Sequence, residues 1–218
     1  MGRPIGGYRL QDGTLVPGVS TIAEYGKDAG GLIHWAWNLG MEGKDYRAVR
    51  DGAASTGTLA HEMVECWIRK TPWVRPATAT DEQVQKAGRA YGAFCEWATQ
   101  SRLEVTHSEF SLVSEQYRVG GTPDAVLVNG KRAMGDWKTS NAIYPEYLVQ
   151  LAGYGLLWEE AFPLQPLDGG YHLIRFGKEH GNFSHHWWPN MEMDRAKEVF
   201  LLKRKLYDLQ HVLKGMAK

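Results

Sequence analysis

The hydrophobic pattern switches repeatedly between helical and strand periods from residue 80 onward, and this constrains the fold more than any other feature. Thr80 followed by Gln83 is a capping box. It opens a helix whose apolar face carries Val84, Ala87, Tyr91, Phe94, Cys95 and Ala98 at helical spacing. Alternation with a period of two follows, and segments 103–113, 116–119, 124–128 and 132–139 are predicted strands, with Asn129-Gly130 as a hairpin turn signal. A helix is predicted from Pro145 to Ala161, with proline in its first turn. Strands over 170–176 and 183–188 come next. A last helix over 191–214 carries Ala196, Val199, Phe200, Leu202, Leu206, Leu209 and Leu213 on its apolar side. The order helix, a run of strands, helix, two strands predicts an α/β fold. Upstream, the Gly- and Pro-rich residues 1–30 form an irregular lead-in around Pro17-Gly18-Val19-Ser20-Thr21-Ile22. Segments 31–41 and 45–70 read as helices, interrupted near Gly52 and restarting at Gly57-Thr58.

With 218 residues and no repeat or low-complexity linker, one domain over 1–218 is expected. It comprises a helical N-terminal part (31–75) and a core (80–214). Lys plus Arg number 25 and Asp plus Glu number 25, so no global field exists to draw in nucleic acid or membrane. A polyanion would have to be bound by a local patch or through metal ions. Cys66 and Cys95 are too few for a disulfide framework or a four-thiolate cluster, and both are expected as buried thiols in a reducing compartment. The opening MGRPIGGYRL has no apolar run and no stretch approaches a membrane span, so a soluble, cytoplasmic protein is expected.

The most informative stretch runs from Gly120-Gly121-Thr122-Pro123-Asp124 to Gly135-Asp136-Trp137-Lys138-Thr139-Ser140. Asp136 and Lys138 are two apart in a strand and share a face. Two converging carboxylates, Asp124 and Asp136, are unfavourable unless a proton or cation separates them. Mg²⁺ or Mn²⁺ is the natural resolution, and an adjacent ammonium can then orient a water and stabilise developing charge. A bare D-x-K also arises by chance as an exposed pair on a hairpin, so its companions decide. The first is Gly57-Thr58-Leu59-Ala60-His61-Glu62-Met63-Val64-Glu65, where His61 and Glu65 stack on one helix face. An imidazole here would lean the preference towards Mn²⁺. Glu65 reads equally as a ligand, a partner to a ligand or a solvated side chain. The second is Gln150-Leu151-Ala152-Gly153-Tyr154, a polar i, i+4 pair that either sits on ordinary helix surface or holds the lysine or a DNA phosphate.

Register supplies a geometric condition. A two-residue Asn129-Gly130 turn sets Asp124 opposite Gly135 and turns Asp136 to the other face. A shared cation requires Asp124 opposite Asp136, hence an odd loop Asn129-Gly130-Lys131 with Val128 paired to Arg132, or a bulge.

These four pieces, the G-T-x-x-H helix, the G-x-x-D strand, the D-x-K strand and the Q-x-x-x-Y helix, resemble in this order the PD-(D/E)XK nuclease superfamily and its RecB-like exonuclease branch. PGVSTI, GTLAHEMVE and GDWKTS look particularly like mitochondrial genome maintenance exonuclease and its phage and bacterial relatives. The resemblance implies a restriction-endonuclease-like core (αβββαβ, a mixed central sheet flanked by helices) with a helical N-terminal elaboration. It implies that His61, Asp124 and Asp136, with the Trp137 carbonyl, bind Mg²⁺ or Mn²⁺. Lys138 would be the catalytic lysine, and Gln150, Tyr154 and Glu65 would support the site. The implied activity is metal-dependent DNA exonuclease action in replication, repair or recombination, on a free or frayed end, including single-stranded DNA, alongside phage or host recombination and replication proteins. An endonuclease on the same fold and a catalytically silent DNA-binding module are the competing expectations. The four cysteines with which some RecB-like exonucleases hold an iron–sulfur cluster are missing, so no cluster is expected.

Elsewhere, His185-His186 are adjacent in a strand and face opposite ways. Lys203-Arg204-Lys205 reads as a solvated polar face, with phosphate contact as the alternative. Trp35, Trp37, Trp67 and Trp73 read mostly as core, with one or two free to stack on unpaired bases.

Overall fold

The Thr80 capping box is formed: Gln83 N–H donates to Thr80 Oγ1 at 3.2 Å, and Gln83 Oε1 accepts the Thr80 N–H at 3.0 Å. The computed structural model describes residues 4–102, 104–177 and 181–217; Leu103, which opens the predicted strand 103–113, lies outside the described residues. In the lead-in, β1 (Tyr8–Arg9) pairs with β2 (Leu15–Val16), a hairpin that the composition concealed. Helix α1 (Val19–Ala23) buries Val19, Ile22 and Ala23, and α2 (Gly30–Met41) buries nothing. Helix α3 (Tyr46–Arg69) runs unbroken through Gly52 and Gly57, so the predicted interruption does not occur. A helical glycine costs only about 1 kcal/mol. Burial of Leu59, Ala60, Met63 and Val64 against the core returns more.

After α4 (Asp81–Gln100) come β3 (Glu104–Ser108), β4 (Leu112–Ser114), β5 (Val119–Gly121), β6 (Ala125–Asn129) and β7 (Lys131–Lys138), then α5 (Pro145–Ala161), β8 (Gly170–Phe176), β9 (Phe183–Trp188) and α6 (Asn190–Met216). The predicted strand 103–113 breaks at Glu109, whose φ is 42°. The predicted strand 116–119 is mostly a turn between β4 and β5, which pair with each other outside the central sheet. The central sheet is mixed, in the order β3-β6-β7-β8-β9, and its parallel pair, β7 with β8, is joined through α5. Helices cover both faces. Val126, Met134 and Leu173 pack with α1, α5 and α6, while Ala125, Leu127, Trp137 and Ile174 pack with α3 and α4.

Two features set the site. In the β6–β7 hairpin Ala125 faces Gly135, Val128 faces Arg132 and Asn129 faces Lys131, with Gly130 at φ 71° as the tip. The loop is therefore odd, the register that a shared Asp124–Asp136 face demands. The second feature is α5, which is buried from Leu151 through Trp158 between the sheet and the outer helices.

The apolar side of α6 expected from the sequence is not its core side. Its buried residues are Met193, Phe200 and Arg204, whereas Val199, Leu202, Leu206, Leu209 and Leu213 are exposed. The helix carries two apolar stripes, and the one with the Phe200 ring fits against the small Gly153. Arg204 is also not on a solvated face: it donates to the Tyr117 and Arg118 carbonyls and pairs with Asp208. Among the described residues no helix is long and apolar enough to cross a membrane.

Candidate active site

The Gly120-Gly121 pair sets where the first carboxylate lies. A Cβ on Gly120 would sit 2.2 Å from Tyr8 Cγ, and one on Gly121 would sit 2.9 Å from both Tyr154 Cε1 and Leu157 Cδ1. Without side chains, β5 passes between the Tyr8 ring and α5. Tyr8 Oη and Thr122 Oγ1 hydrogen-bond at 3.0 Å, fixing the segment that leads into Asp124. The Trp137 N–H then donates to Asp124 Oδ2 at 2.7 Å, which draws this carboxylate onto β7 beside Asp136. The Trp137 indole points to the opposite face and packs edge-on to Phe94, 5.4 Å between ring centroids.

From Asp136 a polar chain runs into α5. Lys138 Nζ lies 2.6 Å from Asp136 Oδ2 and donates to Gln150 Oε1 at 3.1 Å. Gln150 Nε2 donates to Tyr154 Oη at 2.8 Å. The Lys138 ammonium also lies 4.9 Å from the centre of the Tyr147 ring, a cation–π contact. Asp136 is 1 % exposed. Burial pushes the Asp124 carboxyl up to about 6, against the pull of the Lys138 ammonium and the Trp137 N–H. Burial likewise pushes Asp136 up to about 6, with Lys138 pulling down and Asp124 pushing up. Burial works against the Lys138 ammonium, but Asp136 and Asp124 outweigh it and hold the group above its ordinary value, so it stays charged. Burial, then Asp136 and Asp124, push the Tyr154 phenol well above its usual range.

His61 reaches the cluster from α3, with Nδ1 3.8 Å from Asp124 Oδ1. Glu65, one turn on, is turned elsewhere: it accepts from Ser108 Oγ at 2.8 Å and pairs with Arg69, tying α3 to β3. A third acid, Glu109, was not singled out from the sequence. Its N–H donates to the Asp124 carbonyl at 3.1 Å, and its charge adds to the upward push on Asp124. Tyr147 was also missed, although it lies three residues before Gln150 on the same helix face.

The donor set suits a hard divalent cation. Two neighbouring carboxylates, Asp136 buried and Asp124 half-buried, resist ionisation until positive charge compensates them. Asp136 Oδ2 is buried, with the Lys138 ammonium 2.6 Å away as its partner. Among the described residues no three His, Cys, Asp or Glu side chains form a ready-made cage. An ion here would complete its shell with backbone, water and substrate oxygens, the way Mg²⁺ is usually held.

The remaining sequence candidates lie outside this cluster. His185 pairs with His172 at 2.8 Å and packs on Trp97, while His186 stacks on Trp188, so the two do face opposite ways. Trp67 and Trp73 pack against the α3–α4 core, whereas Trp37 on α2 is exposed. Cys66 and Cys95 are half-buried free thiols rather than fully buried ones.

No family model and no curated protein matches the sequence. Solved structures do. A candidate exonuclease from Eubacterium rectale superposes with a TM-score of 0.50 at 9% identity, over 73% of this chain and 68% of that one. An alkaline exonuclease (LHK-Exo) from Laribacter hongkongensis gives a TM-score of 0.38 at 11% identity, over 91% of this chain and 92% of that one. With the Eubacterium rectale protein, the likeness is one of fold.

Proposed function

We propose that this chain is a metal-dependent DNA exonuclease on a restriction-endonuclease-like core, hydrolysing phosphodiesters from a free or frayed end. The observation that carries the reading is the series Asp124, Asp136, Lys138, Gln150 and Tyr154, with Asp136 and Tyr154 buried and the other three half-buried, in which two carboxylates and a charged lysine meet at one end of a hairpin. A surface pair arising by chance would not be buried, nor would it be backed by a hydrogen-bonded chain into a neighbouring helix. The order α4, β3, β6, β7, α5, β8 and the fold shared with the Eubacterium rectale protein, itself described as an exonuclease, support the same reading.

Asp124 and Asp136 would hold Mg²⁺ or Mn²⁺, with His61 and the Trp137 carbonyl contributing. When bound, such a cation polarises the phosphoryl oxygen and makes its water a nucleophile near neutral pH. Lys138 keeps its proton at Nζ, orients the attacking water and stabilises charge growing on the phosphoryl oxygens. Gln150 and Tyr147 hold that ammonium in place, so it needs little reorganisation during the reaction. Tyr154 keeps its O–H and fixes the Gln150 amide.

The test compares linear DNA with covalently closed single-stranded circles, in Mg²⁺, in Mn²⁺ and in excess EDTA. Linear DNA is expected to be degraded with either metal, at least as well with Mn²⁺. Circles should be spared, and EDTA should stop the reaction. Lys138→Ala is expected to remain folded and to lose turnover, in kcat before KM. Rapid cutting of circles would favour the endonuclease, binding without any cutting would favour a silent module, and full activity in EDTA would remove the metal from the mechanism.

A further inference from the structure

The outward stripe of α6 has a regularity that an ordinary surface lacks. Val199, Leu202, Leu206, Leu209, Leu213 and Met216 are 40, 60, 43, 52, 59 and 77% exposed. They recur at alternating steps of three and four residues, the seven-residue repeat of a coiled-coil seam. Such a repeat keeps one line of side chains against a partner helix along its whole length. Every residue from Asp208 to Ala217 is exposed, so the last turns of α6 gain no core packing from this chain. Helical turns without packing are marginal in water.

We propose that this stripe is the seat of a second copy of the chain, the two α6 helices lying antiparallel about a two-fold axis. Reversed against itself, the stripe is complementary throughout. Val199 comes opposite Met216, Leu202 opposite Leu213, and Leu206 opposite Leu209, with no apolar position left over. The flanks agree: Lys203 comes beside Gln210 and Lys205 beside Val212, so no like charges meet and the lysine stems cover the seam. A parallel pair would instead ask Lys203 to reach Glu198, but its ammonium already donates to the Ala23 carbonyl at 2.8 Å. Laid together, two such stripes would take all six exposed side chains of each copy out of water. Helix α5 lies between α6 and Lys138, so pairing leaves both polar clusters open, and the inference does not depend on what they do.

Sedimentation of the full chain is expected to give twice its 24.5 kDa mass. Leu206→Lys/Leu209→Lys is expected to give the single-chain mass with unchanged circular dichroism, since neither side chain supports the monomer fold. Orientation is read from single cysteine variants: Val199→Cys mixed with Met216→Cys should cross-link on mild oxidation, and neither should cross-link alone through the new thiol. A wild-type chain that stays single at every concentration overturns the proposal. A double-lysine variant that still pairs moves the interface elsewhere, and cross-linking of Val199→Cys to itself refutes the antiparallel arrangement.

Discussion

Asp124 and Asp136 are each pushed from 3.8 up to about 6, so the folded chain holds their protons more tightly than the unfolded one does between about pH 4 and 6. Their contribution to stability is therefore full below about pH 4, falls as pH rises through 6, and stays low above it. At pH 8 both are ionised and the metal-free fold carries the cost of their burial. Asp124→Asn removes one of those charges, keeps an oxygen for the Trp137 N–H, and leaves the Asp136–Lys138 pair whole. The metal-free variant is expected to be more stable than wild type at pH 8 by on the order of 1–2 kcal/mol, or about 2–8 °C in Tm. It should also lose most of the stabilisation that Mn²⁺ gives wild type. Melting curves at pH 8 with and without Mn²⁺ decide this, and a lower metal-free Tm for the variant would show that the two carboxylates do not oppose one another.

At the scale of elements, α5 is the shared wall: it sends Gln150 towards Lys138 and seats α1 and α6 behind. A Cβ on Gly153 would lie 2.6 Å from Phe200 Cε2 and 2.8 Å from Val19 Cγ1. Helix propensity favours alanine by about 1 kcal/mol, but overpacking costs about 1–3 kcal/mol. Gly153→Ala is expected to destabilise by about 1–2 kcal/mol in urea titration, while Gly92→Ala on α4, where nothing approaches within 4 Å, should stabilise. Equal effects would mean that α5 can move away from its neighbours. Elements of this kind were legible where the signal was local. The Thr80 cap and the α5 start at Pro145 follow from spacing and local chemistry, whereas the odd hairpin loop follows only from requiring Asp124 and Asp136 to share a face, against the two-residue turn that Asn129-Gly130 suggests. The break proposed at Gly52 failed because packing further along α3 decides the matter. The core side of α6 failed because two apolar stripes share that helix, and only tertiary fit selects between them. Asp124, Asp136, Lys138, Gln150 and Tyr154 were visible as motifs. Glu109 and Tyr147 were not, because the first reaches the cluster through a left-handed kink after β3 and the second through the way α5 lies across β7.

Across the whole molecule, stability is distributed unevenly. One face of the sheet, α5 and the inner stripe of α6 share one core, and the other face with α3 and α4 shares another. Helix α2 belongs to neither: none of its residues is buried, and its Trp35 meets Tyr46 only edge-on at 6.5 Å. A twelve-residue helix without burial has little to hold it against local opening. Its amides should therefore exchange with deuterium far faster than those of Leu151–Trp158, which open only when the core does. Equal protection in the free chain would mean that α2 is held by something besides its own backbone. Because such a segment is held by little besides its own backbone, anything that settled on Trp37 and its neighbours would steady it. Slowed exchange confined to α2 would then mark where a visiting molecule has landed.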